Sequence, residues 1–234
     1  MYKIIIIQKK GEKEMEENQE NKAQELKQET VNTFNQAKEQ MKNINLKEEA
    51  EIGKGLLKKL WKSPVETIKE VVSDNENKCF KTALLLVAVW AIAEMLRKIL
   101  IYTLSKYDDF EFGPTLKVTI TPIVRVIVMS LSMYFVNNRA KDSITKALTS
   151  VTIAYIPLII SSILWVIYPI INDISPILIY VDFILEAIAT ILMYFTIKSY
   201  AKEENEDNVV KKFILVEVVF YVAKFFIKYL GIHI

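Results

Sequence analysis

SPILIYVDFILEAIATILMYFTI, residues 175–197, is apolar and long enough to cross a ~30 Å hydrocarbon core as one helix, yet it holds Asp182 and Glu186. That combination decides how the chain is read. An apolar run of this length predicts a transmembrane helix, and ionisable groups inside it need a stated reason to be there.

Four more stretches of the same kind surround it, at 80–104, 116–136, 148–171 and 213–232. The expected fold is therefore all-α: a polytopic integral membrane bundle of five transmembrane helices behind a polar, helical or disordered N-terminal arm. Hydrophobic residues make up 52% of the chain and charged residues 25%, a mixture that implies segregation along the sequence. Residues 1–50 form the polar arm, 51–78 amphipathic juxtamembrane helices, and 79–234 the membrane domain. Richness in Ile, Lys and Asn suggests an AT-rich bacterial genome.

The remaining inventory excludes several classes. A formal net charge of +2 gives no electrostatic footprint for nucleic acid. The single cysteine, Cys79, cannot form an internal disulfide, and with one histidine, His233, it cannot build a Cys/His zinc site, so no metal is expected. No Gly-rich phosphate loop, His/Asp set or nucleophile context is present, so neither a cofactor nor an enzymatic activity is expected. The opening MYKIIIIQKK has too short an apolar run for a signal peptide. Lys10-Gly11-Glu12 can be encoded as AAAGGAGAA, a ribosome-binding sequence just upstream of the Met15 codon. Residues 1–14 are therefore expected to be a mis-called leader, the alternative being a real start.

Within the arm, Ala23, Leu26, Thr30, Phe34, Ala37, Met41 and Ile44 share one helical face. The stripe is thin. It suits a solvated helix, or a docking helix for a protein partner. IGKGLLKKLWK, residues 52–62, interleaves Ile52, Leu56, Leu57, Leu60 and Trp61 with Lys54, Lys58, Lys59 and Lys62. Such a helix fits the headgroup region of a bilayer, with lysines on anionic lipid and the apolar face sunk. The competing reading packs that face on other cytoplasmic segments. Ser63-Pro64-Val65-Glu66 then marks a helix start with a capping box, and 73–77 (SDNEN) a break.

Cations alternate between the segments flanking the spans. Seven lysines lie from Lys54 to Lys81; 105–115 and 172–175 are acidic; Arg139, Lys141 and Lys146, then Lys198, Lys202, Lys211 and Lys212, mark the returns. The rule that Lys and Arg stay cytoplasmic gives a cell-membrane protein with N-terminus in, five crossings and C-terminus out. Tyr102, Tyr107, Tyr134, Trp165, Tyr168, Tyr194 and Tyr200 fit interfacial belts. Pro122, Pro157 and Pro169 predict kinks.

Glu94, Arg97, Arg125, Asp182, Glu186, Glu217 and Lys224 fall inside the spans. A charge at mid-bilayer costs at least ~2.5–3.5 kcal/mol, so each needs a partner at equal depth. At ~1.5 Å rise per residue, Glu94 lies roughly 20 Å from the cytoplasmic face and Arg125 roughly 12 Å from the outer face, which coincide in a ~30 Å core. Glu94–Arg125 and Glu186–Lys224 are the expected intramembrane ion pairs. Arg97 and Lys98 lie nearer the edge and can snorkel. Two readings of these charges stand: structural pairs that hold the bundle, or a polar cavity built on Asp182, Glu186 and Glu217 that handles an ion, proton or polar substrate.

Residues 150–160, SVTIAYIPLII, contain Ala154-Tyr155-Ile156-Pro157, which resembles the Gly-Tyr…Pro signature in the third span of the Yip domain family, five-span proteins named for interaction with Ypt/Rab GTPases. The likeness covers about 56–232 and includes a polar N-terminus, a Pro-led helix before span one and a short turn between spans three and four. Tyr155 and Pro157 carry it. Ala154 stands where the family has Gly, and the Asp-Leu-Tyr-Gly-Pro motif of eukaryotic members is absent. The resemblance implies membrane organisation, not a defined reaction. The expected function is a non-enzymatic membrane protein that binds partners or shapes the bilayer, with a homo-oligomer plausible for so few spans. The alternative is a small transporter or channel subunit that uses the buried carboxylates.

Overall fold

The computed structural model describes residues 45–74, 78–104, 111–137, 143–170, 175–201 and 205–229, together with positions 31, 35, 38 and 39, which are helical and exposed. The chain divides into two units, Met1–Asn43 and Ile44–Ile234. Apart from those four positions, the expectations for residues 1–44 lie outside the described residues.

In the second unit the described residues form eight α-helices and no strand: α1 Leu46–Lys62, α2 Pro64–Ser73, α3 Phe80–Leu104, α4 Phe112–Asn137, α5 Ile144–Ala154, α6 Ile156–Ile167, α7 Ser175–Tyr200 and α8 Glu206–Tyr229. α3 packs on α4 and α6, α4 on α8, α8 on α7, and α7 on α6, which closes a ring of helices. α5 packs against α4, α3 and α7. It is buried on nearly every side: Ile144, Thr145, Ala147 and residues 149–154 are all enclosed. α1 and α2 pack on each other, α1 also against α3 and α2 against α5 and α7.

Among the described residues two helices, α4 and residues 177–200 of α7, are long and apolar enough to cross a membrane, and the bent pair α5–α6 is a third candidate if it is one span. This is fewer than the five expected spans. α3 and α8 have the length, 25 and 24 residues. What sets them apart is charge: Lys81, Glu94, Arg97 and Lys98 in α3, and Lys211, Lys212, Glu217 and Lys224 in α8. Only 33% of the apolar stretch of α4 and 22% of that of α7 is buried within the protein. Ile123 and Ile127 on α4, and Phe183, Ile184 and Ile191 on α7, point outward. An apolar exterior on this scale marks a surface suited to membrane or protein contact.

The interior is packed with small residues. Ala83, Ala91, Ala93, Ala147, Ala154, Ala189, Ser130, Ser132 and Thr196 are buried at helix contacts, where small side chains let backbones approach closely. Their hydroxyls bond to their own helix one turn back: Ser130 donates to Val126 O (2.6 Å), Ser132 to Val128 O (2.8 Å) and Thr196 to Leu192 O (2.8 Å).

The third apolar stretch is broken, not merely kinked. α5 and α6 meet at Tyr155 with a bend of 52°. Pro157 has no N–H for the Ile153 carbonyl, and its ring clashes with that carbonyl in a continuous helix. Tyr155 resolves the break from both sides. Its N–H donates to Val151 O (3.0 Å), and its carbonyl accepts from Leu158 N (2.9 Å) and Ile159 N (3.1 Å). By contrast Pro122 sits inside an unbroken α4, and Pro169 falls beyond the end of α6.

Three local expectations are corrected. Ser63 precedes α2 and Pro64 opens it, but the Ser63 side chain makes no capping bond; its carbonyl accepts from Thr67 N–H and from Thr67 Oγ1, both at 2.9 Å. The apolar face of α1 does not all turn outward. Leu56 and Leu60 are buried in the bundle, leaving Trp61 88% exposed beside its lysines. Tyr200 is not interfacial: it is buried, and its hydroxyl lies 3.2 Å from Ser150 Oγ.

Candidate functional site

Helix geometry places Trp90, Glu94, Arg97 and Ile101 on one face of α3, at steps of three and four residues. Pro114, Lys117, Val118, Thr121 and Arg125 likewise form a stripe on α4. With Leu158, Ser161, Ser162 and Trp165 of α6 and Asp182 of α7, these faces enclose a cleft of about 840 Å³. It runs from Trp90 and Arg125, deep in the bundle, towards Ile101, Pro114 and Tyr168 near helix ends. From Pro114 to Arg125 the helical rise is roughly 16 Å.

Its polar groups are organised around α6. Ser162 Oγ donates to Glu94 Oε1 (2.7 Å) and accepts from Trp90 Nε1 (2.8 Å). Glu94 Oε2 lies 3.4 Å from Arg97 Nη2, one turn along the same helix. One α6 hydroxyl thus ties α3 to α6 and holds a carboxylate whose charge Arg97 offsets. Neighbouring Ser161 donates to Asp182 Oδ1, tying α6 to α7.

Arg125 is placed differently. Its Nε is buried and has no hydrogen-bond partner. Its guanidinium carbon lies 5.4 Å from the Tyr155 ring centroid. Tyr155, 3% exposed, is in turn met edge-on by Trp90 at 6.1 Å and 84°. The break at Tyr155–Pro157 therefore delivers an aromatic face under the arginine. Behind it lies a smaller pocket of about 40 Å³ lined by Arg125, Tyr155, Glu186, Thr190 and Glu217. Buried Met129, Met193 and Phe220 stand around this inner pocket.

The expected site residues are thus distributed over one connected region, with pairings that differ from those anticipated. Glu94 and Arg125 share the cleft, but the ion pair Glu94 makes is with Arg97. Glu186 is exposed and lies near enough to act on Lys224 through charge, yet no contact ion pair joins them among the described residues. Lys224 Nζ sits 5.9 Å from the Tyr221 ring centroid. Glu217 stands near Arg125 in the inner pocket, and Asp182 belongs to the outer cleft. Lys98 lies over the Tyr102 ring at 4.7 Å. Ser161, Ser162 and Trp90 were not anticipated. The only sequence signal for them is the Ser161-Ser162 doublet in an apolar run and the four-residue step from Trp90 to Glu94.

The lysines of α1 stand apart from this region. Lys59 Nζ meets Glu70 Oε2 at 2.7 Å, joining α1 to α2, and this carboxylate raises the Lys59 pKa above the usual lysine value. Lys198 Nζ meets Glu206 Oε1 at 2.7 Å between α7 and α8; that hydrogen bond lowers the Glu206 pKa. Glu49, 6% exposed, accepts from Thr82 Oγ1 at 2.6 Å and fastens α1 to α3. Among the described residues no cluster of His, Cys, Asp and Glu could hold a metal ion.

No family model, curated protein or solved structure matches this chain.

Proposed function

We infer that this chain is a five-span membrane protein, N-terminus in the cytoplasm and C-terminus outside, whose bundle binds a polar ligand in the cleft between α3, α4, α6 and α7. α3 and α8 complete the set of spans. They qualify on length, and several of their charges, Glu94, Arg97 and Glu217, line the cleft or the inner pocket instead of facing lipid. In this orientation the cleft approaches the extracytoplasmic face and ends at Arg125.

One observation carries the reading. Charges of both signs converge on a cavity of about 840 Å³, within the size range of ligand sites. A bundle that used charge only for cohesion would close such a space and bring its ions into contact. The walls combine apolar and aromatic side chains with a few placed polar groups, as ligand pockets do. The second, smaller pocket beyond Arg125, lined by Glu217 and the exposed Glu186, supports a carrier or channel-subunit role over simple storage.

A membrane-organising role of the Yip type is the second reading. It rests on the likeness at Tyr155–Pro157 and on α1, whose exposed Trp61, Leu57, Lys54, Lys58 and Lys62 suit a headgroup layer or a protein partner.

Native mass spectrometry of the full chain, extracted from membranes in mild detergent, tests the first reading. A retained small-molecule adduct that is lost in Arg125→Gln and Asp182→Asn, but kept in Ser130→Ala, supports it. A bare chain, or an adduct indifferent to the cleft substitutions, contradicts it. Flux into proteoliposomes that Glu186→Gln abolishes would assign transport in particular.

A further inference from the structure

The charges along the cleft are of two kinds. Glu94 and Arg97 offset one another at 3.4 Å. Arg125 and Asp182 line the same cavity with opposite charge, and neither makes an ion pair among the described residues. Asp182 Oδ1 takes the Ser161 hydroxyl, which leaves Oδ2 available. Arg125 stacks near Tyr155 with its Nε unpartnered; Glu217 acts on it through charge without a contact ion pair among the described residues. Two opposite charges facing one cavity walled by protein attract each other more strongly than in bulk water and draw together unless packing holds them apart. Here the Ser161 bond holds one and the Tyr155 ring supports the other, on different helices. The space between them is complementary to a molecule with the inverse charge pattern.

We propose that the cleft recognises a zwitterion, whose carboxylate or phosphate meets Arg125 and whose ammonium meets Asp182. This rests on the cleft being a ligand site. The planar guanidinium fork matches either oxyanion in a bidentate fashion. Trp165 and Tyr168, packed edge to face at 5.1 Å, add aromatic surface for a cation at the same end of α6. Lys117 is two turns from Arg125, roughly 12 Å along α4, too far to share one small headgroup. Ile101, Val118 and Leu158 provide apolar wall for an aliphatic portion. An amino acid with an apolar side chain and a phospholipid with an ammonium-bearing headgroup both carry this chemistry.

Binding of three matched probe pairs to the full-length protein in detergent separates the sources and tests the charge pattern. Each pair keeps the anion and removes the ammonium: short-chain phosphatidylethanolamine against phosphatidylglycerol, phosphoethanolamine against glycerol 3-phosphate, and L-leucine against N-acetyl-L-leucine. The proposal predicts at least tenfold preference for the zwitterion in one pair. Asp182→Asn should bring that ratio close to one while anion binding persists, and Arg125→Gln should weaken both members. Preference in the first pair alone identifies a lipid; in the second or third, a soluble ligand. Equal or tighter binding of the anion, or a preference that survives Asp182→Asn, overturns the zwitterion inference while leaving the cleft a ligand site. No binding of any probe by a wild-type protein with an intact thermal transition overturns both. Asp182→Asn keeps the Ser161 hydrogen-bond acceptor, so it tests charge even if Arg125→Gln fails to fold.

Discussion

The guanidinium carbon of Arg125 lies 5.4 Å from the centroid of the Tyr155 ring, at the residue where α5 ends and α6 begins. The helix break, the buried aromatic and the deep arginine are therefore one construction. Pro157 removes the hydrogen bond to Ile153 O at the break, the bend positions Tyr155, and Tyr155 supports Arg125. Tyr155→Ala should destabilise the bundle by about 3–5 kcal/mol, the range for truncating a buried aromatic. Tyr155→Phe, which keeps the ring, should cost well under half of that. Unfolding midpoints in detergent provide the comparison; equal losses from the two substitutions would show that the ring is not what supports Arg125.

Ser162 is the hub of the cleft, and its hydroxyl differs in kind from those of Ser130 and Ser132, which bond only their own helix. Ser162→Ala removes the donor to half-buried Glu94, which keeps Arg97, and leaves the buried Trp90 N–H without its acceptor, at a cost of about 1–3 kcal/mol. Ser130→Ala removes only a bond to its own helix and should lie within about 0.5 kcal/mol of wild type. Thermal unfolding of the two variants side by side checks the difference, which vanishes if the network is not formed.

At the opposite end, α1 is held by a buried carboxylate. Thr82→Val leaves Glu49 without its 2.6 Å donor and should release α1 from α3. Hydrogen exchange across residues 46–62 should accelerate at least tenfold while α7 is unaffected. Unchanged protection of α1 would show that Leu56 and Leu60 dock it unaided.

Gly53 of α1 faces the same threonine. A Cβ added there would meet Thr82 Cγ2 at 3.6 Å, an ordinary contact. Gly53→Ala should therefore be neutral or stabilising by up to ~1 kcal/mol through helix propensity. A lower melting temperature for this variant would mean that α1 approaches α3 more closely than described.

Much of this was legible in the sequence for physical reasons. α3 spans the residues expected from its apolar run, 80–104, because a strongly polar segment lies before it and an acidic one after. Pro157 announced a disturbance because its chemistry is local. Equal-depth arithmetic brought Glu94 and Arg125 to one cleft, since rise per residue is fixed. It could not choose Glu94's ionic partner: Arg97, one turn away on the same face, makes the ion pair that Arg125 across the bundle does not. Ser161 and Ser162 were hidden because buried hydroxyls usually bond their own backbone, as Ser130, Ser132 and Thr196 do. Nothing in a sequence marks which serine reaches across. Tyr200 was misplaced for a related reason, since a tyrosine at a helix end suits an interface unless a hydroxyl such as that of Ser150 meets it in the core.

The central claim is that lipid surrounds this bundle while water enters its cleft, and α4 offers both environments about 1.7 turns apart. Thr121 lines the cleft, whereas Ile127 is 43% exposed on the outer apolar surface. In a Cys79→Ser background, Thr121→Cys and Ile127→Cys can be challenged with a membrane-impermeant maleimide added outside intact cells. The account predicts labelling of Thr121→Cys from outside and none of Ile127→Cys, even after permeabilisation. Equal labelling of both would place water around the whole bundle and contradict it.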